Sequence, residues 1–373
     1  MPVLKYALIF FNLCLFAQVI AQNPWQWSVE YNLATLRKHT PRMVFTPSGA
    51  AHGLELKLFK RTAGNKRWEN YYNAPSYGFM AKFFYLGAPR EILGNAYSFY
   101  PFIEFNIGKK LHLFLSDGIA YFPKPYNIKT NPNQNAIGSH WNRSVCFKAL
   151  WNVYNFERLS FFSGVGITHY SNGSIKSPNL GLNFPSIDFQ IRQNSVINSE
   201  FIKQKNNERL FKKWSFSLLY GIAMKELKVT GGPKFFVYTL AVDGGYHYSD
   251  FKSIRVGIEE EYHNVSPYFY IHTVNVDKID PFKVALRHQV FVSHEWQIGQ
   301  SAISLSTGYR LNKEVVLGGY ALYNKLIVSY RFPKIIKRIE PSLGMILKVN
   351  YGVADHLALC LNLRWHKTKT KME

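Results

Sequence analysis

Past its first 21 residues the chain has no run of 18 apolar residues, so no helix in it is expected to cross a bilayer. Cysteine is nearly missing. Of three, Cys14 sits in the leading segment, while Cys146 and Cys360 have neither metal-ligand spacing nor the density of a disulfide scaffold, which leaves little for redox chemistry. A Gly-rich phosphate loop, zinc-finger spacing and a His-x-x-x-His motif are also lacking. The nearest approach to a ligand set, Glu259, Glu260 and Glu261 with His263, is expected to be a solvated strand end. No metal and no cofactor are therefore expected. Acidic residues are scarce, 23 against 45 Lys and Arg, and the net charge is +22. The cations are scattered and not gathered on one helix, which argues against nucleic acid and favours an anionic membrane surface as partner.

Residues 1–21 read MPVLKYALIFFNLCLFAQVIA, an early cation at Lys5 followed by an apolar stretch that ends in small residues at Val19 and Ala21. This is the pattern of an export signal cut after Ala21, and residues 22–373 are then the mature protein.

The mean hydropathy of -0.15 resembles that of a soluble protein, but the periodicity does not. Trp214, Phe216, Leu218, Tyr220, Ile222 and Met224 alternate with Ser215, Ser217, Leu219, Gly221 and Ala223. The same period of two recurs in Leu343 to Tyr351 and in Leu357 to Trp365, and in the segment 303–311 the one charge, Arg310, falls on the polar parity. Such strands run to ten residues or more, longer than those of a soluble sandwich, and aromatics make up 16% of the chain. The fold class expected is all-β, a transmembrane antiparallel barrel of the outer-membrane type with about 14–16 strands. One larger barrel is the simpler reading; two small ones, before and after Asn198, are the other.

Connections sort into short turns, at 107–109, 155–157 and 298–300, and long polar loops, at 123–139, 172–182 and 264–283. In outer-membrane barrels short turns face the periplasm and long loops face outward. Basic segments at 203–213 and 334–338 fall on the periplasmic side without an explanation.

The strand from Arg158 carries Leu159, Phe161, Ser163, Val165 and Ile167 on one parity, then His169 and Ser171. Side chains two apart share a face, with Cα atoms about 6.6 Å apart, so a base and a nucleophile can meet there. The pair continues the lipid-facing stripe and lies at the outward end of its strand. A polar pair in that place is tolerable only near the headgroups.

The segment HYSNGSIKSPNLGLN, residues 169–183, resembles the active-site segment of the outer-membrane lipid A 3-O-deacylases of the PagL type. More loosely, WENYYNAPSYGF, LGNAYSFYPF and KPYNIKTNPNQNAIGSHWN resemble larger, Bacteroidetes-type members, so the likeness spans roughly residues 50–190. The resemblance implies a serine esterase of the outer membrane that hydrolyses an acyl ester of lipid A, part of lipopolysaccharide. It implies Ser171 as nucleophile, His169 as general base, and Asn172 and Gly173 as oxyanion donors. Where the family has an acid, twelve residues beyond the Ser, this chain has Asn183. Parity sets Asn183 outward beside the pair and Asp188 toward the lumen, so the amide oxygen of Asn183 is expected to orient His169, as Asn does in Cys-His-Asn proteases. Lys124, Lys129 and Lys176 are placed to attract sugar phosphates. Two other readings stay open: a non-catalytic pore or scaffold, which as a ring of 14–16 strands would hold water, and an outer-membrane phospholipase, for which no calcium ligand set is present.

Overall fold

A computed structural model describes residues 25–38, 40–194, 214–226, 230–269, 271–272, 280–312, 321–333, 339–351 and 353–366. The expected export signal and both basic segments, 203–213 and 334–338, lie outside the described residues. Among those described there are sixteen strands, all antiparallel to their neighbours where their pairing is given, in two closed barrels of eight. The chain divides into two compact units, and one barrel belongs mainly to each.

The first barrel is built from β1 (Trp25–Ala34), β2 (Ala51–Arg61), β3 (Ser76–Tyr85), β4 (Asn95–Ile107), β5 (Leu111–Tyr121), β6 (Trp141–Asn155), β7 (Leu159–Ser171) and β8 (Leu182–Gln193). It closes where β8 pairs with β1, Ile191 opposite Val29 and Ser186 opposite Ala34. The second comprises β9 (Trp214–Glu226), β10 (Lys234–Ser249), β11 (Lys252–His263), β12 (Leu286–Ile298), β13 (Ser301–Arg310), β14 (Leu322–Arg331), β15 (Ile339–Asn350) and β16 (Val353–His366). Here Leu361 of β16 lies opposite Tyr220 of β9.

The strand count agrees with the sequence reading, but the single larger ring it favoured gives way to two. Alternation decides which face of a strand meets lipid and says nothing about where a ring closes. Closure follows from what fills the interior: eight strands leave a lumen just wide enough for side chains. In the first barrel the Lys148 ammonium lies 2.7 Å from both carboxylate oxygens of Glu55 and also reaches Glu30. Beside it, Lys82 pairs with Glu55 at 3.2 Å and donates to Thr168 at 3.1 Å. Nearer the other end, Arg192 grips both oxygens of Glu104 at 2.7 and 2.6 Å. The second lumen is filled in the same manner, with Arg364 on Glu295 at 2.8 and 2.6 Å and Lys348 donating to Gln289 at 2.8 Å.

Outside, the alternation holds. Trp214, Phe216, Leu218 and Tyr220 are exposed while Ser215 and Ser217 are buried, and Arg310 points inward as its parity required. The long connections 122–140, 172–181 and 264–285 share one end of the strands in their own barrels, and the short ones at 108–110, 156–158 and 299–300 share the other. Within the first barrel one connection departs from this rule. Residues 62–75, with a short helix at Arg67–Tyr71, lie on the short-turn end of the first barrel.

Candidate active site

His169 and Asn183 sit directly opposite each other in the β7–β8 ladder. Facing pairs in an antiparallel ladder hold their Cβ atoms about 4.5–5.5 Å apart, close enough for a short amide to reach an imidazole. The Nδ1 atom of His169 lies 2.6 Å from the amide oxygen of Asn183. Because that oxygen only accepts, Nδ1 carries the proton and Nε2 is the basic nitrogen. Two residues further along, Ser171 ends β7 and is nearly buried, with 5% of its surface exposed. Asp188 faces the other way, fully buried in the lumen, where its carboxylate accepts from the side-chain amide of Asn32 at 2.8 Å.

The chain after Ser171 turns at once. Gly173 and Ser174 both adopt left-handed backbone, φ +64° and +67°, which the Asn-Gly sequence favours. Asn172 holds the turn, its side-chain amide donating to the Lys176 carbonyl at 2.8 Å. Its backbone N–H donates to the side-chain oxygen of Asn179 at 2.9 Å. That contact gives the Asn172 N–H a partner other than an oxyanion. The amide nitrogen of Asn179 is meanwhile buried without a hydrogen-bond partner among the described residues. A buried unpartnered donor, linked to Ser171 through its neighbour Asn172, is a group that an anionic oxygen can satisfy.

Gly181 supports the imidazole from behind. Its φ is +79°, its N–H donates to the Ala136 carbonyl at 3.0 Å, and a Cβ placed on it would stand 3.0 Å from Cε1 of His169. Beyond its last assigned residue β1 keeps pairing with β8, the N–H of Arg37 donating to the Asn183 carbonyl at 2.9 Å, so exposed Arg37 lies on the same outward face as Asn183. Lys176 is exposed in the 172–181 connection, and Lys124 reaches the carbonyls of Arg90 and Glu91 at 3.5 Å.

The acidic run at Glu259–Glu261 is not the solvated strand end expected of it. Glu259, Glu261 and His263 are buried in the second lumen, and only Glu260 is on the outer parity. Ligand atoms of Glu261, His263 and Asp355 lie within 4.8 Å of one another. Cations already occupy this cluster, however: Lys348 and Lys325 pair with Glu261, and Lys225 and Arg287 stand 2.8 and 3.9 Å from Asp355. That surrounding charge opposes a metal ion.

Sequence reasoning gave Asn179 and Gly181 no role, although both lie inside the motif. Their roles depend on the path of the connection back to the strand, for which a single sequence has no local signature.

An antiparallel eight-stranded barrel with a lumen full of side chains and a His–Ser pair on its outer face is an outer-membrane-type barrel with enzyme-like furniture. Residues 52–192, a stretch of the first barrel that runs from β2 into β8, match the family described as Lipid A 3-O-deacylase (PagL). No curated protein matches the chain. Similar solved structures include the KdgM porin, at 7% identity over 91% of this chain and 99% of that one, with a TM-score of 0.19. A triple mutant of the Rhodopseudomonas blastica porin is 7% identical over 92% and 99%, with a TM-score of 0.17. CdiB from Acinetobacter baumannii is 6% identical over 92% and 60%, with a TM-score of 0.20. Scores this low give no ground for assigning a pore.

Proposed function

We propose that the protein is a serine esterase of the outer membrane that removes an acyl chain from lipid A in the outer leaflet. The observation that carries this reading is the 2.6 Å contact between His169 and Asn183, beside Ser171, on the outward face of a barrel whose residues 52–192 match the PagL family. Ser171 Oγ attacks the ester carbonyl carbon while its proton passes to Nε2 of His169. The carbon–oxygen ester bond then breaks, and the imidazolium returns the proton to the departing sugar hydroxyl. Water, deprotonated by the same nitrogen, splits the acyl-enzyme and releases the fatty acid.

Asn183 acts through its oxygen. In serine proteases an acid-to-amide change costs about 10⁴ in rate, partly by selecting the wrong tautomer. Acceptance by Oδ1 keeps the productive tautomer here and leaves only the weaker stabilisation of imidazolium. The Gly173 N–H and the side-chain amide of Asn179 supply the oxyanion donors, and Asn172 takes the part of holding Asn179 in place. No cofactor enters the scheme.

Mass spectrometry of lipid A from cells making the protein tests this directly. Wild type should shorten lipid A by one acyl group, and Ser171→Ala should not. An unchanged profile with correctly inserted wild-type protein overturns the reading, and acyl loss from phospholipid alone would make the protein a phospholipase instead.

A further inference from the structure

A fixed ion pair stands on the lipid-facing wall beside the site. On β6, Trp141, Phe147 and Trp151 are exposed while Asn142, Ser144, Cys146 and Lys148 are buried, and Arg143 has the parity of the exposed set. Its partner Asp117 shares the outward parity of Ile119 and Tyr121 on β5. Arg143 Nε donates to one Asp117 oxygen at 2.7 Å and one Nη to the other. The remaining nitrogen, Nη1, is buried and has no hydrogen-bond partner among the described residues, and Arg143 as a whole is only 8% exposed. Charge on the outer wall of such a barrel is destabilising at mid-membrane and tolerated near the interface. Arg143 lies two residues from the long-loop end of its strand.

The register between β6 and β7 ties this pair to the site. Gly164 packs against Leu150, Gly166 against Lys148, and Thr168 donates to Cys146 Sγ at 3.6 Å. Continued by one residue along the ladder, that pairing sets His169 across from Val145, with Arg143 two residues nearer the long-loop end on the same outward face. Neighbouring strands lie about 4.8 Å apart. Arg143 thus flanks His169 on the side away from Asn183.

We infer that Arg143, held by Asp117, is a subsite for a phosphate oxygen of the lipid headgroup whose ester Ser171 attacks. This rests on the esterase reading above. Asp117 clamps two arms of the guanidinium fork and leaves the third as a directed donor, which suits one oxygen at one place better than a diffuse cation would. Phosphate is the occupant that fits a guanidinium at headgroup depth, since an ester carbonyl carries no charge for it to meet.

Binding is measured on the full chain in detergent micelles, with Ser171→Ala retaining the lipid intact. Bisphosphorylated lipid A, its phosphate-free counterpart and inorganic phosphate are the probes. Adding Arg143→Gln should weaken the phosphorylated lipid about tenfold and leave the phosphate-free lipid unchanged. If Arg143→Gln does not fold, Arg143→Lys keeps a cation and loses the fork, and it should lose about threefold on the phosphorylated lipid alone. Equal loss on both lipids, or no loss on either, overturns the subsite. Displacement of lipid by inorganic phosphate that depends on Arg143 makes the free ion the ligand and overturns the headgroup assignment. Hydrolysis by the wild type in the same micelles reports on the esterase reading separately, so the two can fail independently.

Discussion

The amide oxygen of Asn183 stands 2.6 Å from Nδ1 of His169. This contact needs an acceptor at that position, and a charged one would stabilise imidazolium further. Asn183→Ala should lower kcat for ester hydrolysis at least about tenfold, and Asn183→Glu should keep or raise it. Asp188→Asn, a change in the lumen, should leave hydrolysis as it was. Loss of activity in Asp188→Asn with a silent Asn183→Ala would show that the imidazole takes its orientation from inside the barrel.

Gly181 is the second lever on the same ring. Alanine there meets both a left-handed φ, unfavourable for an L-residue by about 1–2 kcal/mol, and the edge of the imidazole at 3.0 Å. Steady-state kinetics of Gly181→Ala should show kcat reduced about tenfold or more with KM little changed. Wild-type kinetics in this variant would mean that His169 is positioned without it.

Asn179→Asp separates two tasks in one side chain. The carboxylate still accepts from the Asn172 N–H, but the donor is gone. Removing an oxyanion donor of this kind lowers kcat by about 10² to 10³. A change confined to KM would assign Asn179 to the shape of the loop and not to the developing charge.

Lys148 tests the lumen. Lys148→Met removes one of three ammonium groups around the buried carboxylates of Glu30 and Glu55, which keep Lys57 and Lys82, so the loss should fall below about 3–5 kcal/mol, the cost of a buried charge left with no partner. Urea unfolding followed by tryptophan fluorescence should register it, with partial recovery in the double variant Lys148→Met/Glu55→Gln. An unaltered midpoint would show that Lys57 and Lys82 suffice for both carboxylates.

The direction of the barrel is open to labelling in intact cells. A cysteine at Ile175, in the connection after Ser171, should react with an impermeant maleimide added outside, and one at Phe156, on the short turn before β7, should not. The reverse pattern would put Ser171 on the inner leaflet, out of reach of lipid A.

What could be read from the sequence was whatever has a period of two. Alternation is local, so it separated Asn183 from Asp188 and set His169 and Ser171 outward without any knowledge of the ring. Closure joins residues far apart, such as Ser28 with Arg192, and leaves no local mark. The same limit explains Glu261: a charged residue on the inner parity reads alike whether it meets water at a strand end or Lys348 in a packed lumen. Arg143 and Asp117 were legible in principle, since a charge on the apolar parity, between Trp141 and Val145 or between Leu115 and Ile119, is itself an anomaly.

Both lumens are plugged by paired charges, so neither is a conduit for a fatty acid or a trimmed lipid. Substrate and products of an outward-facing site then travel sideways, within one leaflet. Turnover in such a case follows the mole fraction of lipid in the surface and not its bulk concentration. An assay in mixed micelles should slow as inert detergent dilutes the surface, even when the total amount of substrate is held constant.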